Sequence, residues 1–186
     1  MKTFFLAALF AAAGTAAHPS LAATPAPAAT FTPALVIELS IPAPRHEVWE
    51  AFTTKEGLST WLAPDVSVDL KPGGDWLVKF SGSTGGGTIV SFVPEEELVI
   101  SALAPDRFPH VRAARTRAVF TFTANGDATV VRLSQTGWQR GAEWDAAYEY
   151  LASGNAEILG MLHHRFVAGP TDWQKMMAPT AGEPAK

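Results

Sequence analysis

The chain has 186 residues, of which 47% are hydrophobic and 17% are charged, and its net charge is −4. This length is typical of one domain that can enclose a hydrophobic core, and the negative balance argues against nucleic acid as a partner. The chain has no cysteine, which excludes disulfides, a thiol nucleophile and lipid attachment through cysteine.

The N-terminal residues predict an export signal rather than part of the domain. Residues 1–23 combine the charge of Lys2 with an apolar run and then small residues, the pattern of a secretory signal peptide. The alternative is a membrane anchor, but the apolar run is shorter than the ~20 residues that a spanning helix needs. Residues 24–33 are rich in Ala, Pro and Thr and predict a flexible linker. We therefore expect a periplasmic or secreted protein with no stable membrane span after signal removal.

A strand and two short helices are predicted at the start of the domain. The apolar residues 35–41 form the strand, which ends at Pro42. Pro44 then opens a short helix, and a second short helix follows it. The apolar residues that mark these helices are Val48, Trp49 and Phe52 in the first and Leu58, Trp61 and Leu62 in the second. The two helices are expected to form a V-shaped cradle beside a sheet.

Short strands with alternating apolar residues occupy the middle of the chain. The predicted strands are residues 66–70, 76–80, 88–93, 98–103, 117–123 and 129–136. The glycine-rich residues 81–87 predict a flexible hairpin connection, and residues 104–114 predict a long polar loop. Residues 125–127, Asn-Gly-Asp, predict a tight hairpin turn.

One long amphipathic helix is predicted over residues 142–167, and the Gly-Pro pair at 169–170 stops it. Its inward face carries Trp144, Tyr148, Leu151, Asn155, Leu159, Leu162 and Phe166. Gly154 and Asn155 lie in the middle of this helix, where they are expected to bend or split it. The domain is predicted to span residues 34–173, and residues 174–186 to form a disordered tail.

Together these segments resemble the START-like (SRPBCC) superfamily and, within it, the activator of heat-shock protein ATPase homologue family. The resemblance rests on VWEAFT at 48–53, WL at 61–62, the glycine-bearing turn at 72–74 that leads into a strand, and the long last helix. It implies an α+β helix-grip fold: a curved antiparallel sheet, two short helices after the first strand, and a long C-terminal helix. It also implies a cavity between the sheet and that helix, for a small apolar or amphipathic molecule.

Ten residues are candidates for contact with such a ligand, because aromatic walls with a few polar groups are typical of small-molecule pockets. They are Trp61, Trp76, Phe120, Phe122, Gln135, Trp144, Tyr148, Leu151, Asn155 and Leu159. The alternative is that these side chains fill the interior completely. Asn155 is expected to bond a ligand, a buried water or, as the favoured interpretation, the backbone at a helix break. Gln135 is expected to face the ligand or to bond the backbone.

The sequence predicts no metal, no cofactor and no catalytic residue. His163 and His164 are adjacent, and neighbours on a helix cannot chelate one ion by themselves. An alternative function is an enzyme of the cyclase or hydrolase kind, which would need a polar pair inside the cavity. The candidate pairs are His110 with Arg112 and Tyr148 with Gln135.

Two further alternatives concern partners. One is a protein-interaction module of the chaperone-regulator type, although an exported chain would not meet a cytosolic ATPase. The other concerns a local basic cluster, which is either a solvated loop and strand edge or a clamp for an anionic head group. The cluster comprises Arg107, Arg112, Arg115 and Arg117.

Overall fold

The computed structural model describes residues 33–80 and 83–177, so the predicted signal peptide and most of the predicted linker lie outside the described residues. The domain begins with strand β1 (Leu35–Ile41), followed by helices α1 (Arg45–Thr53) and α2 (Lys55–Ser59). Pro44 immediately precedes α1, where its fixed φ suits a helix start. Thr54 separates the two helices, and its hydroxyl accepts a hydrogen bond from the Gly57 N–H at 2.9 Å. This cap lets the second helix start without a longer connection.

Seven strands form one antiparallel sheet in the order β1-β7-β6-β5-β4-β3-β2. The remaining strands are β2 (Asp65–Val68), β3 (Asp75–Phe80), β4 (Ser83–Val93), β5 (Glu97–Ala102), β6 (Thr116–Asn125) and β7 (Ala128–Thr136). On β7 every second residue from Thr129 to Gln135 is buried, and β6 shows the same alternation from Thr116 to Phe122. Alternation with period two places these residues on one face, so the sheet has one covered side.

The predicted hairpin connection is wrong for residues 83–87, which belong to β4 and pair with β3. Two of the glycines there, Gly86 and Gly87, allow close backbone approach. Gly86 has φ +94°, and a Cβ atom at this position would lie 2.1 Å from the carbonyl oxygen of Trp76. Only glycine fits such a position without strain.

The predicted loop 104–114 contains a short helix, α3 (Pro109–Ala114). The long helix α4 (Ala142–Ala168) runs without a break through Gly154, so the expected split is wrong. A further short helix, α5 (Trp173–Met177), includes the first residues of the predicted disordered tail, so that prediction is wrong for residues 174–177, and residues 178–186 lie outside the described residues. Together the sheet, the paired short helices and α4 confirm the predicted α+β helix-grip fold.

The core has two separate clusters. The first contains, among many aliphatic side chains, a group of rings packed by α1 and α2 that is here called the aromatic cluster: Trp49, Phe52, Trp61, Trp76, Phe120 and Phe122. The Phe52 ring centroid is 5.2 Å from each of those of Trp61, Phe120 and Phe122. The second, here called the Trp138 cluster, holds Leu35, Ala104, Phe108, Val111, Trp138, Trp144 and Ala147.

Candidate functional site

A cavity of ≈ 650 Å³ lies between the covered face of the sheet and the middle of α4. Its wall is mostly apolar and includes Val78, Ile100, Ala118, Leu133, Leu151 and Ile158. Tyr150 and Met176 also line it, and they are 45% and 64% exposed, so the cavity reaches the surface at that end. Its volume is within the range of about 300–1,000 Å³ that is usual for small-molecule pockets.

The space exists because glycines stand where side chains would otherwise project. On the sheet, Gly85 lies directly opposite Val78, and opposed residues of an antiparallel pair share one face. On the helix, Gly154 lines the same cavity. A Cβ atom at Gly85 or Gly154 would meet no atom within 4 Å. The missing side chains on both walls therefore leave the cavity between them.

Two amides form a polar spot on this apolar wall. Gln135, which is 3% exposed, comes from β7, and Asn155 comes from α4. The Asn155 Nδ2 donates a hydrogen bond to Gln135 Oε1 at 2.9 Å, and Gln135 Nε2 donates to Thr116 Oγ1 at 2.7 Å. The expectation that Asn155 caps a helix break is therefore wrong, because α4 has no break there and the amide crosses to the sheet. The pair links helix to sheet beside the cavity.

The open end of the cavity is bordered by the segment after α4. The Thr171 N–H donates to the Thr60 carbonyl at 2.8 Å, and Trp173 Nε1 donates to the Ser59 carbonyl at 2.6 Å. These two bonds hold α5 against the end of α2, so that Trp173 and Met176 line the cavity.

The structure brings five of the ten candidate residues to the cavity wall: Trp76, Phe120, Gln135, Leu151 and Asn155. Trp61, Phe122 and Leu159 lie instead in the core with the aromatic cluster. Trp144 belongs to the Trp138 cluster, and Tyr148 packs against it with its ring 5.0 Å from that of Trp138. Contact of any of the ten with a ligand stays a prediction.

Sequence reasoning missed several wall residues. Gly85 and Gly154 leave the space, Gly86 lies beside it in close backbone contact with Trp76, and Trp173 and Met176 border its open end. The glycines could have been identified from the sequence, because a glycine inside a strand or helix often marks close backbone approach or packing. The segment after residue 173 carries no amphipathic pattern long enough to indicate that it returns to the cavity.

The arginines of the basic cluster make local contacts near the loop 104–114. Arg112 donates to the carbonyls of Ala104 and Thr84 and forms an ion pair with Asp106 at 3.0 Å. Arg107 stacks on the Tyr150 ring, 3.6 Å from its centroid. Neither guanidinium forms part of the cavity wall among the described residues.

His110 and Glu143 connect α3 to the start of α4. The Glu143 carboxylate accepts hydrogen bonds from the His110 side chain and from the backbone N–H groups of His110 and Val111. The hydrogen bond from His110 is the main cause that lowers the pKa of Glu143, and the two backbone bonds lower it further, against the opposing effect of burial. Gln135 lines the cavity, whereas its proposed enzymatic partner Tyr148 and the pair His110 and Arg112 lie outside the wall.

Within residues 33–80 and 83–177, no three His, Asp or Glu side chains are grouped so that they could hold a metal ion. None of the helices described for these residues combines the length and the hydropathy that a membrane-crossing helix requires.

A START-like domain is defined by a seven-stranded antiparallel sheet packed against a long C-terminal helix, with a cavity between the two, and this structure has that arrangement. The sequence model of one family in this class, described as Activator of Hsp90 ATPase homolog 1-like protein, matches residues 42–166, and the chain belongs to this family. The resemblance found in the sequence is thereby confirmed. No curated protein sequence matches the chain.

Solved structures share the fold at low identity. The Aha1 dimer from Colwellia psychrerythraea is 19% identical with a TM-score of 0.62, over 73% of this chain and 97% of that one. A protein from Mesorhizobium loti is 20% identical with a TM-score of 0.61, over 71% and 95% of the two chains. CalU16 from Micromonospora echinospora is 21% identical with a TM-score of 0.57, over 77% and 79%. At these identities the likeness shows the fold alone.

Proposed function

We propose that this protein binds a small apolar or amphipathic molecule, non-covalently, in the cavity between the sheet and α4. The observation that carries the proposal is the apolar space of ≈ 650 Å³ that reaches the surface near Tyr150 and Met176. The family and the fold are consistent with a ligand-binding domain.

The physical basis is the hydrophobic effect. Protein interiors are close-packed, so the apolar side chains around an unfilled space have no partner atoms on one side. A ligand that fills the space gains about 25 cal/mol for each Å² of apolar surface removed from water, less the cost of losing its own freedom. The wall favours an apolar body, and the Gln135–Asn155 pair offers one polar contact.

The proposal is tested by titration of a neutral environment-sensitive dye such as Nile red, with fluorescence as the readout. The variant Gly154→Phe places a ring in the cavity from the α4 wall, where the added Cβ meets no atom within 4 Å. The matched control is Gly160→Phe on the same helix, at an exposed glycine that does not line this cavity. Both changes replace glycine in a helix, so neither lowers helix propensity.

We expect Gly154→Phe to weaken dye binding at least tenfold and Gly160→Phe to leave it close to the unchanged protein. Native mass spectrometry of the purified protein gives an independent readout of bound molecules. Equal binding by the two variants, or no binding by the unchanged protein, contradicts the proposal.

We also propose that the protein is exported, on the evidence of the charge, apolar run and small residues in positions 1–23. The test expresses the full chain in a Gram-negative host and measures the mass of the protein in the periplasmic fraction. Recovery there of a chain shortened by about this segment supports export. A full-length chain that remains in the cytoplasm contradicts it.

A further inference from the structure

The Gln135–Asn155 pair gives the cavity a defined hydrogen-bonding direction. Asn155 donates to Gln135, and Gln135 donates to the Thr116 hydroxyl, so both amides donate in the direction of Thr116 and the Asn155 carbonyl oxygen stands at the other end of the chain. Chains of this kind polarise their members, which strengthens the acceptor at the far end. That acceptor is Asn155 Oδ1.

The Asn155 Oδ1 atom is exposed to solvent, on a residue that lines the cavity. Within residues 33–80 and 83–177 it accepts no hydrogen bond, while the Nδ2 atom of the same amide is engaged. Among these residues, every buried side-chain nitrogen or oxygen atom has a hydrogen-bond partner. An oxygen atom that has no partner is therefore not buried, and solvent reaches it. Asn155 lines the cavity, and a ligand that covers this oxygen must supply a donor or leave it unsatisfied at a cost of about 1–3 kcal/mol.

The charges of the residues that line the cavity disfavour an anionic head group beside Asn155. Among the described lining residues the one charged side chain is Glu157. The guanidinium of Arg112 is engaged with Asp106 and with backbone carbonyls, and that of Arg115 with the Ser101 carbonyl. A carboxylate buried beside Asn155 would therefore meet a carbonyl oxygen, and no described lining residue supplies a cation to balance it.

We propose that the natural ligand is an uncharged hydrophobic molecule that carries a hydroxyl group, an alcohol or a phenol, and that this hydroxyl donates to Asn155 Oδ1. This inference rests on the proposed function and names the ligand class that it leaves open. Gln135 is a positioning residue, since it holds the Asn155 amide in the orientation that presents the oxygen.

The test compares three ligands of one shape by calorimetric titration: 2-naphthol, its methyl ether and 2-naphthoate. The naphthol has a donor, the ether has an acceptor alone, and the naphthoate is an anion at neutral pH. We expect the naphthol to bind the unchanged protein at least tenfold more tightly than either of the others. Because the series uses the unchanged chain, it does not depend on whether a variant folds.

The variant Asn155→Leu tests whether Asn155 causes the preference for 2-naphthol over its methyl ether. We expect it to reduce the tenfold preference for the naphthol over the ether to about equal binding, while the affinity for the ether stays similar. A structural role alone would weaken both ligands together.

Three outcomes overturn the inference: equal or tighter binding of the naphthoate, equal binding of the ether, or an unchanged naphthol preference in Asn155→Leu. If Nile red and all three naphthalenes bind with no preference, the proposed function stands and the inference fails. If nothing binds, both fail.

Discussion

The two ends of the covered sheet face differ in how they are packed: aromatic side chains fill one end, and glycines leave the other end open. Under α1 and α2 the aromatic cluster fills the space, with Phe52 fully buried among rings at 5.2 Å. Under the middle of α4, Gly85 and Gly154 face the interior and leave a cavity of ≈ 650 Å³. The same sheet therefore has a filled end and an open end. Trp76 and Phe120 lie at the boundary, because they belong to the aromatic cluster and also line the cavity.

This difference shows that aromatic residues do not by themselves indicate a pocket. Aromatic rings stabilise a core mainly by burying a large apolar surface, and here they do so where helices close the sheet. A pocket appears where side chains are absent on facing walls. The position of glycine is therefore the better indicator of the cavity in this fold.

The comparison predicts its largest effect on stability at the filled end. Phe52→Ala should lower the free energy of unfolding by about 3–5 kcal/mol, because a ring packed on all sides leaves a cavity. Leu151→Ala, at a half-buried position that already faces open space, should cost under about 2 kcal/mol. Urea denaturation of both variants checks this order. Equal losses at the two positions would show that the cavity wall is packed as tightly as the aromatic cluster.

The second prediction separates two neighbouring glycines. Gly86→Ala should destabilise the protein by about 2–4 kcal/mol, since φ is +94° and the new Cβ would lie 2.1 Å from the Trp76 carbonyl oxygen. Gly85→Ala should change stability by less than about 1 kcal/mol, because its Cβ enters the open space. Thermal unfolding of the pair is the measurement. A larger loss for Gly85→Ala would contradict the assignment of Gly85 to the cavity wall.

The third prediction is a gain in stability on the helix wall. Gly154→Ala should stabilise the protein by about 0.5–1 kcal/mol, because alanine has higher helix propensity and its methyl group meets no atom within 4 Å. Gly160→Ala, on the same helix with the same clearance, should give a similar gain. Denaturant midpoints of both variants test it. A loss at Gly154 alone would mean that the wall tolerates no added group.

The smallest expected effect lies away from the cavity, at the contact between α3 and α4. The pKa of Glu143 is lowered from its ordinary value of 4.5, so its ionised form stabilises the folded state above that value. This contribution is lost as the pH falls through the lowered pKa of the folded state. We expect Glu143→Gln to be slightly less stable than the unchanged protein at pH 7, with the difference vanishing in strong acid. Melting temperatures from pH 7 to pH 3 measure it, and a constant difference would contradict the assignment.

Much of the fold follows from periodicity and turn residues. The first strand was predicted at its observed bounds, and the long helix was predicted within one residue of Ala142–Ala168. Both have a regular apolar pattern that ends at a proline or at Gly-Pro, which is strong local information. The first half of β4, residues 83–87, was missed because glycine lowers strand propensity, and pairing with neighbours on both sides outweighed that preference.

The candidate site was less predictable. The apolar pattern of a helix or strand shows which side chains are buried. It does not show whether the element packed opposite supplies a side chain that fills the space between them. Trp61 and Phe122 are buried, as their positions in the pattern predict, but they do not line the cavity. Asn155 was identified as a polar residue on the inward face, but its partner depends on the register of β7 against α4, which no local pattern contains.

The attachment of α5 bears on how quickly the proposed ligand would enter and leave the cavity. A helix of five residues has little stability of its own, and α5 is held to the end of α2 by the bonds of Thr171 and Trp173. Its release is a local opening that leaves the sheet and α4 intact. If a molecule binds in the cavity as proposed, we expect its residence time to depend on the two hydrogen bonds that hold α5, independently of the proposed contact with Asn155.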